Sequence, residues 1–165
     1  MSALKGAAVG LVGWGFGVGA SSAIKGVVSA LARTKSANTT LVVSGGAANS
    51  EAAADAALTA GRTSGAAAEL RVGGQVFTDV STGGAPRVLN GTVQQALDSV
   101  PLGQRAPWHG ACAEMACLSQ ALDAGVNPAG GSIRAVAIGT SNPGHGLPKV
   151  ICSSCSAVLD VFGVG

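Results

Sequence analysis

Between Glu69 and Val80, hydrophobic and polar residues alternate in period two on either side of Gly73-Gly74. Successive side chains of a strand point to opposite faces. Glu69-Leu70-Arg71-Val72 and Gln75-Val76-Phe77-Thr78-Asp79-Val80 therefore read as half-buried strands, and the Gly-Gly step between them as a hairpin turn. Past a loop from Ser81 to Pro86 the period changes. Val93, Ala96, Leu97 and Val100 recur at the spacing of one helix face, which predicts a helix over Thr92–Val100 ended by Pro101. Met115, Leu118 and Leu122 do the same within Ala111–Ala124, closed by Gly125. Ser132–Ile138 reads as a buried strand, with Ile133, Val136 and Ile138 as its bulk. Val158, Leu159 and Phe162 mark a last helix, Ser154–Phe162, stopped by Gly163. The order of hairpin, helix, helix, strand and helix predicts an α/β domain beginning near Arg62.

The chain upstream follows other rules. Gly6–Ile24 is 19 residues without a charge and contains 6 glycines. That length just spans a bilayer, and Gly6/Gly10, Gly13/Gly17 and Gly15/Gly19 repeat the small-xxx-small spacing of closely packed membrane helices. Three readings stay open: a flexible Gly/Ala leader, a segment in membrane contact at residues 6–24, or a signal peptide behind Lys5. Thr40-Leu41-Val42-Val43 is a short β-like run. Asn49 or Ser50 caps an Ala-rich helix to about Ala60 that Gly61 stops. With only Leu58 as bulk, this helix reads as a linker, so residues 1–61 form a leader with a linker helix.

Composition adds limits. Gly and Ala make up 26 and 31 of the 165 residues, charged residues are 11%, and the mean hydropathy is +0.44. The chain is too apolar to be intrinsically disordered. Lys5, Lys25, Arg33 and Lys35 put a charge of +4 on residues 1–35, while residues 36–165 carry six basic and eight acidic residues. The folded part is thus near neutral and shows no basic footprint for nucleic acid.

All four cysteines lie in the last third, as Cys112 and Cys117 and as the pair Cys152-Ser-Ser-Cys155. Close thiols in two clusters read as a metal or redox site before they read as disulfides. Cys112 and Cys152 fall at predicted helix starts, where free N–H groups and the helix dipole favour the thiolate. Cys152 and Cys155 are one turn apart, so both sulfurs can point to one place. Three thiolates would hold zinc and leave a fourth position for water, the mark of a catalytic rather than a structural site. Glu114 lies two residues past Cys112. With Cys112 at the non-helical start, its carboxylate can still reach that water as a proton shuttle.

This C-x-E followed by C-x-x-C is the three-cysteine form of the zinc deaminase signature. Arg62-Thr63-Ser64-Gly65-Ala66, Val76-Phe77-Thr78-Asp79-Val80-Ser81, Trp108-His109-Gly110-Ala111-Cys112-Ala113-Glu114 and Cys152-Ser153-Ser154-Cys155-Ser156-Ala157-Val158-Leu159-Asp160 resemble the YwqJ-related deaminases, C-terminal toxin domains of bacterial polymorphic toxin systems. The resemblance covers about Arg62 to Val164. It implies a cytidine deaminase-like three-layer α-β-α sandwich over residues 62–165, Zn2+ on Cys112, Cys152 and Cys155, and Glu114 as the catalytic acid–base. It also implies a secreted or delivered effector acting in the cytoplasm of a target cell, and a cognate immunity protein as partner. Two departures stand out. Ile151 replaces the proline that usually precedes the first Cys of C-x-x-C, and the chain ends soon after Phe162, where the fold usually continues. A shortened C-terminal sheet is therefore expected.

Bland readings stand beside this one. Cys117 is a small core residue, or else the fourth ligand of a closed structural zinc site. C-x-x-C alone is also a redox spacing. His109 is either a substrate-touching pocket residue or a structural one, and His145 is an exposed loop residue. A base-editing enzyme needs stacking aromatics and cations. Trp108 is the aromatic beside the site, and Arg87, Arg105, Arg134 and Lys149 are the candidate phosphate contacts. That is thin for a polymer. The substrate is thus single-stranded nucleic acid bound weakly, or a free nucleoside or nucleotide, with cytosine favoured by the resemblance.

Overall fold

The structure, a computed structural model, describes the backbone of residues 41–44 and residues 47–165 in full. The leader segment Gly6–Ile24 lies outside the described residues. Among those described, no helix is long and apolar enough to cross a membrane. The compact unit runs from Thr40 to Gly165.

The alternating segments form the hairpin the pattern predicts. Strand β2 (Ser64–Val72) and strand β3 (Gln75–Val80) pair antiparallel, Val72 opposite Gln75. Gly73 and Gly74 turn between them at φ 58° and 74°, the left-handed values that only glycine adopts cheaply. Strand β4 (Ser132–Gly139) pairs antiparallel with the other edge of β2, and strand β1 (Leu41–Ser44) runs parallel beside β3. Among the described residues this makes one mixed sheet, ordered β1-β3-β2-β4. The outer edge of β4 is not left open. Ala137 N donates to Leu147 O and Lys149 N to Ala135 O, while Ile133 N donates to Gly165 O. The loop before the last helix and the chain's final residue thus cover an edge that would otherwise present unpaired groups.

Helices cover both faces of the sheet. Helix α1 (Ser50–Thr59) lies on one face, where Ala53, Ala54 and Ala57 meet Ala67, Val136 and Ile138. Helix α2 (Gly91–Asp98), helix α3 (Ala113–Asp123) and helix α4 (Ser153–Phe162) lie on the other. There Leu70, Phe77, Val93, Leu97, Met115, Leu118, Val158 and Leu159 form the main core. The protein is thus a mixed α/β fold, as the sequence predicts. Helix ends also fall close to the predicted ones, and Gly163 closes α4 at φ 66°.

The one helix read as a linker is packed instead. Its alanines offer little bulk, but they pack on the small Ala67 as well as on Val136 and Ile138. Polar contacts fix its start. Asn49 Oδ1 accepts from Ala52 N at 2.8 Å, and the buried Glu69 carboxylate accepts from Ser50 N at 2.7 Å. A carboxylate at the positive end of the helix dipole is stabilising there. The compact unit therefore takes in a helix that the sequence pattern set in the leader.

Gly139, at the end of β4, has φ 56°, and a Cβ there would fall 2.2 Å from the carbonyl oxygen of Thr63. Backbone cannot yield as a side-chain tip can. Gly139→Ala should therefore cost more than about 3 kcal/mol, among the larger single-site losses. Gly74→Ala meets nothing within 4 Å and should cost only the ~1–2 kcal/mol of a left-handed alanine. Urea unfolding of the two variants checks the ranking.

Candidate metal centre

Two helices begin at the same place. Cys112 precedes α3 with φ −74° and ψ 149°, and Cys152 precedes α4 with φ −72° and ψ 159°, both extended. Cys155 lies one turn inside α4. The loops that deliver them are tied together. Thr82 N donates to Ala111 O at 3.0 Å, Ala106 N to Ser154 Oγ at 2.7 Å, and Ser153 Oγ to Gln104 O at 2.8 Å. The outcome is that the Sγ atoms of Cys112, Cys152 and Cys155 all lie within 4.8 Å of one another. Cys112 and Cys152 are 3.6 Å apart, and none of the cysteines is in a disulfide.

These thiols share protons unequally. Hydrogen bonds from Cys112 and then Cys155 hold Cys152 as a thiolate, far below the usual thiol range, helped by the N–H groups of Cys155 and Ser154. Cys112 is pushed up chiefly by its hydrogen bond with Cys152, against an opposing one with Cys155, and Cys155 is pushed up by its hydrogen bonds with Cys112 and Cys152. Three converging soft donors, one already ionised at a helix start, form a set that fits a thiophilic metal ion.

Glu114, in the first turn of α3, is buried with only 4% of its surface exposed. Burial raises its carboxyl above the ordinary range, and the nearby Cys152 pushes the same way, while Lys149 opposes. Cys112, Cys152 and Glu114 line one pocket of about 470 Å³. Its other walls come from the start of β2, the loop after β3, Trp108, and the segment after β4. Cys155, fully buried, stands behind the pocket rather than on it.

The remaining predicted residues divide. Trp108 lines the pocket and keeps 53% of its surface exposed, so its ring offers a face to a ligand. His109 does not line it. Both its ring nitrogens are buried and have no partner among the described residues. Cys117 is part of the core, its Sγ 3.4 Å from Ala68 O, and burial raises its pKa. It lies outside the sulfur trio, so the closed four-cysteine site is not formed. His145 is not a free loop residue either. Its Nδ1 accepts from Gly139 N at 3.1 Å, which places the proton on Nε2, 2.8 Å from Asp55 Oδ1. Most of the proposed phosphate contacts are spent elsewhere. Arg87 bonds Asp79 and Val80 O, Arg105 bonds the carbonyls of Val100 and Asp98, and Arg134 pairs with Glu51 of α1. Lys149 alone of the four lines the pocket. Sequence reasoning did not single out the serines of that pocket, Ser64 at the start of β2 and Ser81 and Ser141 in loops, because isolated serines carry no spacing signal.

Comparison of the chain with family models, with curated proteins and with solved structures finds no match in any of the three. The site therefore rests on its own geometry.

If the trio binds a metal, cobalt(II) titration should give thiolate charge-transfer absorption saturating at about one ion per chain. Cys112→Ala, Cys152→Ala and Cys155→Ala should each abolish tight binding and lower stability, since ligand loss removes metal-linked folding energy. Cys117→Ser should keep the stoichiometry at a cost of ~1–3 kcal/mol for its buried hydroxyl. Loss of the metal in Cys117→Ser would reject the three-thiol assignment.

Proposed function

We propose that this domain is a zinc-dependent hydrolytic deaminase of an amino-substituted nucleobase, with cytosine in DNA or RNA as its foremost substrate. The observation that carries the reading is a buried carboxylate, Glu114, in the same pocket as two of three converging thiols. A purely structural metal site has no use for such a group. The order of motifs resembling YwqJ-related deaminases and the helices on both faces of the sheet support a cytidine deaminase-like sandwich. On that reading the protein is a toxin or effector domain delivered into the cytoplasm of a target cell, and an immunity protein neutralises it in the producer.

Cys112, Cys152 and Cys155 would hold the zinc. Zinc on three thiolates supplies a Lewis-acid position at which water is acidified towards neutral pH. The chain's residues do the rest. A Glu114 carboxylate oxygen takes the proton of the attacking water and delivers it to the ring nitrogen next to the amino-bearing carbon. The same oxygen then takes the second proton and passes it to the amino group, which leaves as ammonia. Its raised pKa suits a group that must both accept and return a proton. Trp108 stacks on the base, and the enclosing walls limit bulk water.

Engagement of Arg87, Arg105 and Arg134 within the fold favours a second reading, in which the substrate is a free nucleoside or nucleotide.

Glu114→Gln tests the chemistry. It keeps shape and hydrogen-bonding capacity but cannot carry a proton. The variant should fold, keep metal stoichiometry and lose about two to four orders of magnitude in turnover. Expressed without the immunity protein, wild type should be toxic and leave C-to-T or C-to-U changes in sequenced nucleic acid, while Glu114→Gln should do neither. A Gln variant as toxic as wild type overturns the mechanism. Salt dependence separates the substrates. Activity on a strand should fall steeply between low and physiological salt as counterion release weakens binding, whereas turnover of a nucleoside should be nearly flat.

A further inference from the structure

We infer that the pocket contains a phosphate-binding subsite centred on Gly65, built from Arg62, Ser81, Ser141 and Lys149, so that the substrate is a phosphorylated nucleotide unit and not a neutral nucleoside. The inference rests on the deaminase reading for the base, but not for the anion.

Three donor side chains, those of Arg62, Ser81 and Ser141, gather around Gly65, and a fourth, Lys149, lines the same pocket. The position a Cβ would take on Gly65 lies 2.8 Å from Ser81 Oγ and 3.5 Å from Arg62 Nη2. Arg62 Nη2 also lies 3.7 Å from the corresponding point on Gly83, another residue of the pocket wall. Ser141 Oγ accepts from Gly65 N at 2.8 Å, and Ser81 Oγ from Ala66 N at 3.0 Å. Each hydroxyl is thereby used as an acceptor, and its own O–H has no acceptor among the described residues. A hydroxyl held in place by a backbone N–H, with its proton free, is a donor waiting for an oxygen. Lys149, which also lines the pocket, bonds only a carbonyl, that of Asn142 next to Ser141, at 2.9 Å.

Charge completes the argument. Among the described residues no carboxylate forms an ion pair with Arg62 or Lys149, whereas Arg87, Arg105 and Arg134, the three arginines named as phosphate contacts, are all engaged within the fold. Two cations without a salt-bridge partner, Lys149 acting at longer range on Glu114, and two hydroxyls without acceptors suit an oxyanion with several oxygens. Gly65, at φ 132°, lets Ser81 approach closely, since a Cβ there would crowd the Ser81 hydroxyl at 2.8 Å. A nucleoside would leave these donors to water. A 5′-phosphate or the phosphate of a strand would satisfy them, at a distance from the thiols set by the same pocket.

The test is binding to the metal-loaded full chain, by calorimetry, of cytidine and cytidine monophosphate, of adenosine and adenosine monophosphate, and of a short cytosine-containing single strand. Each monophosphate should bind at least about 10-fold more tightly than its nucleoside, the equivalent of one charged hydrogen bond. In Arg62→Gln and Lys149→Gln that advantage should shrink, and Arg62→Lys and Lys149→Arg should restore most of it. Tighter binding of the strand than of the monophosphate assigns the phosphate to a polymer, and the reverse assigns it to a free nucleotide. Both outcomes support the subsite. Equal affinity for nucleoside and monophosphate in wild type overturns it, as does an advantage that survives both Gln substitutions. Phosphate-dependent binding without any deamination would keep the subsite and remove the enzyme reading. Deamination with no phosphate preference would do the opposite.

Discussion

Everything about this site depends on two helices starting at one point. Helix α3 lies against β2 and β3, driven there by Met115 and Leu118 on Leu70 and Phe77, and α4 joins the same core through Cys155, Val158 and Leu159. Their first turns meet. Helix starts carry unpaired N–H groups and partial positive charge, so a place where two converge is electrostatically prepared for anions. Three thiols gather there, and the one whose pKa is lowered, Cys152, stands at the start of α4. The hydrogen bonds from Ala106 to Ser154 and from Ser153 to Gln104 keep the second start in register with the loop that leads to the first.

The same packing explains the division of labour among nearby residues. Cys112 and Cys152 are extended residues just outside their helices and face the pocket. Cys155 is one turn further in and is wholly buried. Glu114 is two residues past Cys112, and in a regular helix the two side chains would diverge. Because Cys112 is not helical, both reach one cavity. The carboxyl is buried, and it lies near Cys152, which explains why its pKa is raised.

The far wall of the pocket is held by the opposite layer of the fold. The loop after β4 carries Ser141 and Lys149, and it is pinned at His145 between Gly139 and Asp55 of α1. It also covers the outer edge of β4 through Ala137 and Ala135. Helix α1 therefore bears on the site without touching it, by fixing the loop that supplies two of its polar groups. That is a second reason to count α1 within the domain.

The hairpin, the later strand and the helices were legible from the chain itself, because period two, period 3.6 and glycine stops are local signals. So was the cysteine trio, since Cys152 and Cys155 are one turn apart and Cys112-Ala113-Glu114 opens a predicted helix. Pairings between distant segments were not. Nothing in the Ala-rich stretch 50–59 shows that Ala67, Val136 and Ile138 accept it, since small-on-small packing leaves no hydrophobic stripe. Nor does a lone Cys117 announce the Ala68 carbonyl that takes its thiol into the core and away from the other three. The arginines are the clearest case. In the sequence Arg62, Arg87, Arg105 and Arg134 are equivalent cations. Only the tertiary structure decides that Arg87, Arg105 and Arg134 are consumed by neighbours while Arg62, beside Gly65 and Gly83 of the pocket wall, has no acidic partner among the described residues, because a charge's role depends on which groups the fold brings within a few ångströms of it.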